Sequence, residues 1–518
     1  MIKWIVLGEK EGGKIELISK GEVGILPKGS FLTVEENNSK FILRVDDSRQ
    51  IESYVPSPLV AEMGIPGLYA DKKCVNKITA YRVKDTSERE DGLVDFIHPL
   101  SEARLSTQEE VDSAMNSNGV GPAVFISSIQ SNQNRVIKGD DGKRIRVCLP
   151  EDMFWHQMMV CGKTGSGKTV SMKYLAQYFI EKMEGAVLAI NVKDVDFLQM
   201  DKASNNVNDV VLSEWADLNE SARGIGNVMM YMPANRNYEK IKGINKDICQ
   251  KVTLNVADVQ PSALTGMLQG ISDKGALLLP NIFNYWRETE KKKGVKLSFN
   301  KFADYFRNSE DHFFKTLSER GDEGGITLHA ATFDNISRSI DTATDFFDND
   351  GAKSLDYGDI LQYGKMSVLD FSGPSGPRFG SILLRDLLKK IVDAKSNLLS
   401  DIPILIIIDE VHQFYGDNSA AEALGDLDTI CRTGRSMKIG VMFASQNPTD
   451  IPKGLSSVIN TKLFFKTDST SMRDFGMKIQ PEELEGLKQG YAIVQIHGMP
   501  QLKIVKFPLA LSGVVINE

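Results

Sequence analysis

The stretch that decides the fold runs from Met158 to Thr169 and has the sequence MMVCGKTGSGKT. A short apolar segment leads into the pattern G-x-x-x-x-G-K-[ST], and an amphipathic segment follows directly. The apolar positions of that segment recur at the spacing of one helical face and are Met172, Leu175, Ala176, Phe179, Ile180 and Met183. A strand, a glycine-rich loop and a helix in this order predict the phosphate-binding loop (P-loop) of a nucleotide-binding α/β protein.

The residue types of this loop suit the binding of ATP with Mg²⁺. Glycines let backbone N–H groups turn towards the phosphates, and the positive end of the following helix adds to the attraction. Lys168 is expected to reach the β- and γ-phosphates, and the Thr169 hydroxyl to ligate Mg²⁺. A glycine-rich turn that matches by chance would not explain the flanking strand and helix. The predicted nucleotide-binding residues are Gly162, Lys163, Thr164, Gly165, Ser166, Gly167, Lys168 and Thr169.

The overall composition limits the class of protein. A chain of 518 residues exceeds what one hydrophobic core supports and predicts about two to four domains. We expect no membrane partner, because no apolar run approaches the roughly 18 residues of a membrane helix and the first residues lack a signal-peptide core. The five cysteines form no C-x-x-C pair, which excludes a zinc ribbon and favours the reduced cytoplasm. The net charge of −8 excludes a generally basic nucleic-acid coat, so any DNA contact needs locally concentrated positive charge.

Changes of pattern along the chain predict the domain boundaries. Short β-like segments separated by turn residues fill the first hundred residues and favour a small β-barrel or sandwich. Strand–helix alternation begins near residue 152, gives way to a mostly helical region, and resumes at Met366–Phe371. The predicted divisions are a β-barrel-like domain at 1–100, a linker and hairpin at 101–151, a nucleotide-binding core at 152–200 and 361–510, a mostly helical insertion at 201–360 and a C-terminal tail at 511–518.

A second motif follows a continuous apolar run at Ile404–Ile408, which is typical of a central parallel strand buried on both faces. The run ends in Asp409 and Glu410, and a buried strand would not end in two acids without a partner for them. Mg²⁺ and a nucleotide would be that partner. Asp409 is expected to hold Mg²⁺, and Glu410 to orient and deprotonate the attacking water.

Three further groups of polar residues lie at predicted strand ends or turns. Residues 191–196 end the second strand, where open α/β sheets place ligand contacts, although a solvated loop is an equal alternative. Gln446 follows the strand at Ile439–Ala444 and is a candidate sensor of the γ-phosphate. Arg432 and Arg435 lie on one turn and could supply a guanidinium to the transferring phosphoryl group, often in trans. From spacing alone, an ordinary basic surface turn is slightly favoured over a catalytic role for these arginines.

Together these motifs resemble the HerA branch of the HerA/FtsK ATPases. The resemblance rests on residues 156–169, then on Ile408 to His412, Arg432 to Arg435 and Ala444 to Pro448. It implies a RecA-like P-loop ATPase core with a small N-terminal β-barrel and a helical insertion. It also implies a homo-hexameric ring that hydrolyses ATP at subunit interfaces and moves double-stranded DNA through a central channel. In the family, an arginine from this turn reaches the neighbouring subunit's γ-phosphate, and Arg432 matches the first arginine of the motif, with Arg435 second.

The resemblance also implies a protein partner. Archaeal HerA acts with the nuclease NurA in DNA-end processing, whereas bacterial relatives pair with various effector enzymes in defence against phage. The second strand ends here in Asn191-Val192-Lys193-Asp194 instead of the family's D-x-H-G-E type of ending. This departure favours the bacterial relatives over a NurA-like partnership.

Other functional interpretations remain open at this point. An ATP-regulated scaffold that assembles an effector enzyme would suit the acidic overall charge. A conjugation or secretion ATPase is disfavoured because those proteins usually carry N-terminal membrane helices. A metabolic kinase would leave the arginine turn unexplained.

Overall fold

In a computed structural model of the chain, the described residues are 4–20, 24–36, 39–52, 74–86, 95–130, 133–193, 195–268, 276–373, 376–411, 430, 434–448, 459–467 and 481–516. The amino-terminal part forms the predicted β-barrel. Its strands are β1 (Trp4–Lys10), β2 (Lys14–Lys20), β3 (Phe31–Glu36), β4 (Ser39–Glu52), β5 (Cys74–Asp85) and β6 (Glu102–Leu105). They pair antiparallel and close the barrel in the order β1-β2-β5-β4-β3-β6.

The barrel has its own small core. Alternate residues of its strands, such as Trp4 and Val6 or Ile15 and Leu17, are fully buried. This alternation arises because successive side chains of a strand point to opposite faces, and one face lines the barrel. The barrel contacts the rest of the protein through Arg44, whose guanidinium donates a hydrogen bond to the carbonyl of Gln501.

The remaining strands form a large mixed sheet and one hairpin. The strands that pair in parallel are β10 (Met158–Cys161), β11 (Ala186–Asn191), β12 (Val228–Pro233), β13 (Cys249–Thr253), β16 (Lys353–Ser354), β17 (Met366–Asp370), β18 (Ile404–Ile408), β19 (Ile439–Ser445) and β20 (Thr461–Phe464). Antiparallel strands extend the sheet and are β7 (Ala123–Gln130), β8 (Gln133–Val136), β9 (Arg146–Cys148), β21 (Tyr491–Gln495) and β22 (Ile504–Lys506). A separate hairpin consists of β14 (Phe313–Leu317) and β15 (Glu323–Thr327).

The order of this 14-stranded sheet is β16-β13-β12-β17-β11-β18-β19-β10-β20-β21-β22-β7-β8, with β9 paired to β7. The apolar strand β18 is buried throughout, as its sequence predicted. Strand β19 lies between β10 and β18, so one strand separates the P-loop from the two acids. This mixed α/β architecture confirms the predicted fold class.

Helices cover both faces of the sheet. The apolar residues of the helices and the sheet form two large clusters. The helices are α1 (Gln108–Ala114), α2 (Lys168–Glu181), α3 (Asp209–Asp217), α4 (Leu279–Lys292), α5 (Phe299–Arg307), α6 (Ala330–Ala343), α7 (Tyr357–Ile360), α8 (Gly376–Ser396) and α9 (Pro481–Glu485). None of the helices in the described part of the chain is long and apolar enough to cross a membrane.

Several strands lie where the sequence did not predict them. Strands β12, β13 and β16 fall in the predicted helical insertion but belong to the main sheet. Strand β7 falls in the predicted linker and pairs with β22, and α1 precedes it with a capping box between Thr107 and Glu110. Strands β21 and β22 lie in the interior of the sheet, between β20 and β7. The division into domains itself stays a prediction.

Candidate nucleotide site

The P-loop connects β10 to α2 and has a backbone that only glycine allows at two positions. Gly165 and Gly167 have φ angles of 79° and 104°, in the region that disfavours side chains. A Cβ atom on Gly167 would lie 2.8 Å from the backbone nitrogen of Gly490, and one on Gly162 would lie 2.6 Å from the Ser166 hydroxyl. The motif glycines therefore satisfy steric requirements of the folded loop.

Neighbouring segments hold this loop through backbone hydrogen bonds. Lys163 donates to the carbonyl of Lys466 at 2.8 Å, and Gly490 donates to the carbonyl of Ser166 at 2.9 Å. Gly490 immediately precedes β21. The segment that leads into the carboxy-terminal strands thus supports the P-loop directly.

Beyond the loop, the structure brings four predicted site residues together. Lys168 Nζ lies 3.2 Å from Asp409 Oδ1 and 3.4 Å from Glu410 Oε1. Gln446 lies at the carboxyl end of β19, and its Nε2 donates to Glu410 Oε1 at 3.2 Å. Asp409 and Glu410 are both buried. Two buried carboxylates are tolerated here because an ammonium group and hydrogen-bond donors face them.

Glu410 also adopts an unusual backbone conformation. Its φ of 49° lies in the left-handed region, which non-glycine residues seldom occupy. Its backbone N–H donates to Asp409 Oδ1 at 3.0 Å, which helps to hold this turn at the strand end. Strained backbone of this kind is concentrated at functional sites.

The electrostatics of the cluster favour the charged forms of Lys168 and Glu410. Burial alone would lower the pKa of the Lys168 ammonium, but the Asp409 and Glu410 carboxylates outweigh burial and raise that pKa. Burial alone would raise the pKa of Glu410. The charges of Lys168 and Lys193 and the Gln446 amide outweigh it, and the pKa of Glu410 is lowered.

A cavity of about 200 Å³ opens beside this cluster. Its lining consists of Lys163, Thr164, Gly165, Gly167, Lys168, Thr169, Val170, Lys193, Asp196, Asp409, Gln446 and Gln489. The Thr169 and Asp409 oxygens are of the kind that Mg²⁺ prefers. No group of three His, Cys, Asp or Glu residues in the described ranges could hold a metal alone. The donor set therefore fits Mg²⁺ only if nucleotide oxygens complete its coordination.

Four residues of the lining were not among the predicted site residues, and one of them, Val170, directly follows the P-loop motif. Lys193 and Asp196 lie in the segment after β11 that the strand-end rule indicated, but the sequence did not distinguish them from a solvated loop. Lys193 Nζ forms an ion pair with Glu410 Oε1. Gln489 reaches the cavity from the segment before β21, more than 300 residues after the P-loop in the chain. No sequence signal indicated it.

Arg435 lies at the opposite edge of the sheet from the P-loop. Arg435 precedes the amino end of β19, whereas Gln446 follows its carboxyl end. Strands β10 and β19 run parallel, and Cys161 just before the P-loop pairs with Ser445. The seven residues of β19 therefore place about 20 Å between Arg435 and the P-loop of the same chain. Arg435 is exposed; Arg432 and His412 lie outside the described residues.

Comparison with known proteins identifies the family. The family described as "Helicase HerA, central domain" matches residues 135–391. The chain belongs to the HerA-like P-loop ATPases. The match begins in β8, includes the P-loop and ends within α8.

Curated relatives of this HerA-like chain are distant. It is 23% identical over 310 residues to the protein named DNA double-strand break repair helicase HerA from Sulfurisphaera tokodaii. The aligned region covers 56% of this chain and 61% of that protein. The protein of the same name from Pyrococcus furiosus is 26% identical over 99 residues, 18% of each chain. The chain thus spans less than two thirds of the length of either relative.

Solved structures give a weaker comparison. VirB4 of Thermoanaerobacter pseudethanolicus superposes with a TM-score of 0.45 at 11% identity, over 76% of this HerA-like chain and 97% of VirB4. A TM-score below 0.5 does not by itself establish a shared fold. The fold therefore rests on the strand order and on the family match.

Proposed function

We propose that this HerA-like chain hydrolyses ATP and uses the energy to move double-stranded DNA. The observation that carries the proposal is the cluster of Lys168, Asp409, Glu410 and Gln446 beside the P-loop. Lys168, Asp409 and Gln446 line the cavity there, and Glu410 contacts two of them. Each of these side chains has a counterpart among the groups that phosphoryl transfer requires.

In the proposed reaction, the loop N–H groups and Lys168 hold the phosphates. Thr169 and Asp409 would hold Mg²⁺, which would offset negative charge on the phosphate oxygens. Glu410 accepts the proton of the attacking water. Gln446 donates to Glu410 through Nε2, which leaves its amide oxygen to accept a hydrogen bond from that water. Because these groups are buried, their electrostatic effects are stronger than in water.

Arg435 supports a proposal that catalysis is shared between subunits. It is exposed at the edge of the sheet opposite its own P-loop, so it cannot approach the nucleotide bound by the same chain. A second copy could present this edge to the cavity, and its guanidinium would then stabilise the charge of the transition state. We assign the same candidate role to Arg432, which lies on the same turn in sequence.

A head-to-tail arrangement of this kind can close into a ring, and by resemblance to the family we propose a homo-hexamer. The names of the curated relatives support double-stranded DNA as the polymer that passes through it. We further propose a cytoplasmic complex with a partner enzyme, either a NurA-like nuclease or a phage-defence effector. The ending of β11 favours a bacterial type of partner.

A second candidate function is an ATP-regulated scaffold that assembles an effector enzyme with little DNA movement of its own. The net charge of −8 favours it, because a chain that coats DNA is usually basic. The two functions share the nucleotide site and differ in their response to DNA.

The experiment that separates them measures ATP hydrolysis with and without linear double-stranded DNA, together with the mass of the protein in solution. A hexamer whose turnover rises several-fold with DNA is the expected result. A hexamer indifferent to DNA would support the scaffold, and a monomer at all concentrations would contradict both proposals.

A further inference from the structure

Lys193 occupies a position in the nucleotide site that the P-loop chemistry leaves unassigned. It lies two residues beyond the end of β11 in a segment without regular structure. Its Nζ forms an ion pair with Glu410 Oε1, and its side chain, 38% exposed, also lines the cavity. One ammonium group therefore lies between the proposed base and the space that the nucleotide would fill.

The surroundings of Glu410 show why this contact matters. Its Oε1 accepts hydrogen bonds from Lys168, Lys193 and Gln446. An oxygen engaged by two ammonium groups is poorly placed to receive a proton from water. The P-loop role of Lys168 directs its ammonium to the phosphates once a nucleotide binds. Lys193 would remain on the carboxylate unless it also finds a stronger partner.

The terminal phosphate of ATP is such a partner. It carries more negative charge than a carboxylate and would enter the same cavity that Lys193 lines. A lysine side chain has a flexible four-carbon stem that allows its ammonium to move between nearby anions. ADP lacks the γ-phosphate and would leave Lys193 on Glu410.

We propose that Lys193 is a positioning residue that restrains the Glu410 carboxylate in the empty site and transfers its ion pair to the γ-phosphate when ATP binds. Glu410 is thereby released to face the attacking water only when a triphosphate is present. This inference rests on the proposed ATPase function and deepens it, because it couples the base to the identity of the nucleotide.

The test measures the binding of the non-hydrolysable analogue AMP-PNP and of ADP, each with Mg²⁺, to four proteins: wild type, Glu410→Gln, Lys193→Met and the double variant. Glu410→Gln should tighten AMP-PNP binding about 3- to 10-fold, because Lys193 no longer leaves an ion pair to reach the phosphate. In the Lys193→Met background, Glu410→Gln should change the AMP-PNP affinity less than about 2-fold. ADP affinity should change little in all four and reports that each protein is folded.

Two variants serve as controls. Lys193→Arg keeps the charge, so Glu410→Gln should still tighten AMP-PNP binding when it is added to this variant. Lys182→Met removes an exposed lysine at the end of α2 and should change neither AMP-PNP nor ADP affinity. Equal tightening with and without Lys193 would overturn the inference, because Lys168 would then account for it. Failure of the proposed function would be recognised separately, as tight AMP-PNP binding by Lys168→Ala or its absence in the wild type.

Discussion

The two edges of the parallel strands present different groups of residues. At the carboxyl edge, Lys168 and Gln446 line a cavity beside the P-loop and both donate hydrogen bonds to Glu410. At the amino edge, Arg435 lies exposed near the stacked rings of His156 and His497, whose centroids are 3.5 Å apart. The carboxyl edge can bind and polarise a nucleotide, but the guanidinium lies about 20 Å away. This separation supports the proposal that a second subunit supplies the arginine, because one chain cannot bring the two edges together.

Removal of Lys168 should have the largest effect at the carboxyl edge. Lys168→Ala removes the ammonium that reaches the phosphates and leaves Asp409 and Glu410 with less positive charge around them. We expect loss of measurable ATP binding and hydrolysis, with turnover lower by at least about 10²- to 10³-fold.

Isothermal titration calorimetry and a steady-state ATPase assay check this expectation. Lys182→Ala is the matched control on the same helix, since Lys182 is exposed at its carboxyl end. Tight ATP binding retained by Lys168→Ala would remove the P-loop assignment.

Glu410→Gln should separate binding from chemistry within the same edge. The amide keeps the shape of the side chain but cannot accept the proton, so hydrolysis should fall about 10²- to 10⁴-fold while ATP still binds. Single-turnover hydrolysis and equilibrium binding measured on one preparation test both halves of the expectation. Near-normal turnover would exclude Glu410 as the base.

The amino edge should show a smaller effect, in stability rather than turnover. Burial, with the positive charges of His497 and Arg435, lowers the pKa of His156, although Asp152 opposes this. The folded state therefore disfavours protonated His156 relative to the unfolded chain. The free energy of unfolding should decline as the pH falls below the unfolded histidine pKa of about 6.5.

Urea denaturation of the wild type and of His156→Asn at pH 8 and pH 5.5 measures this contribution. His156→Asn should lose less stability between the two pH values, because it lacks the group that becomes harder to protonate on folding. The same pH dependence in both proteins would show that His156 does not contribute.

Much of the carboxyl edge was predictable because its signals are local. The glycine pattern at 162–169 and the apolar run ending in Asp409 each lie within a dozen residues, and the structure brings them together. Gln446 was predicted from its position at the end of a strand. Its place between the P-loop and Asp409 depends on the strand order of the whole sheet, which the sequence did not predict.

The parts that sequence reasoning missed depend on distant contacts or on mixed composition. Strand β12 has three methionines in VMMYMP, and β13 is the polar segment CQKVT, so neither has the β-branched run of a central strand. The ion pair of Lys193 with Glu410 joins residues 217 positions apart. Such a pairing depends on side-chain reach across two neighbouring strands, which no local pattern records.

The central claim is that the amino edge of one subunit completes the carboxyl edge of another, and subunit mixing tests it most directly. Lys168→Ala and Arg435→Ala should each be inactive alone, the latter because a trans arginine contributes about 10³- to 10⁵-fold. In a random equal mixture, about a quarter of the interfaces would pair an intact P-loop with an intact arginine turn.

Lys438→Asn, an exposed cation on the same turn, is the control and should be active. Parallel mixtures with Arg432→Ala decide which arginine acts. The account predicts that hydrolysis reappears in the mixture and depends on the mixing ratio. No recovery at any ratio with either arginine variant, once subunit exchange has been demonstrated, would contradict it.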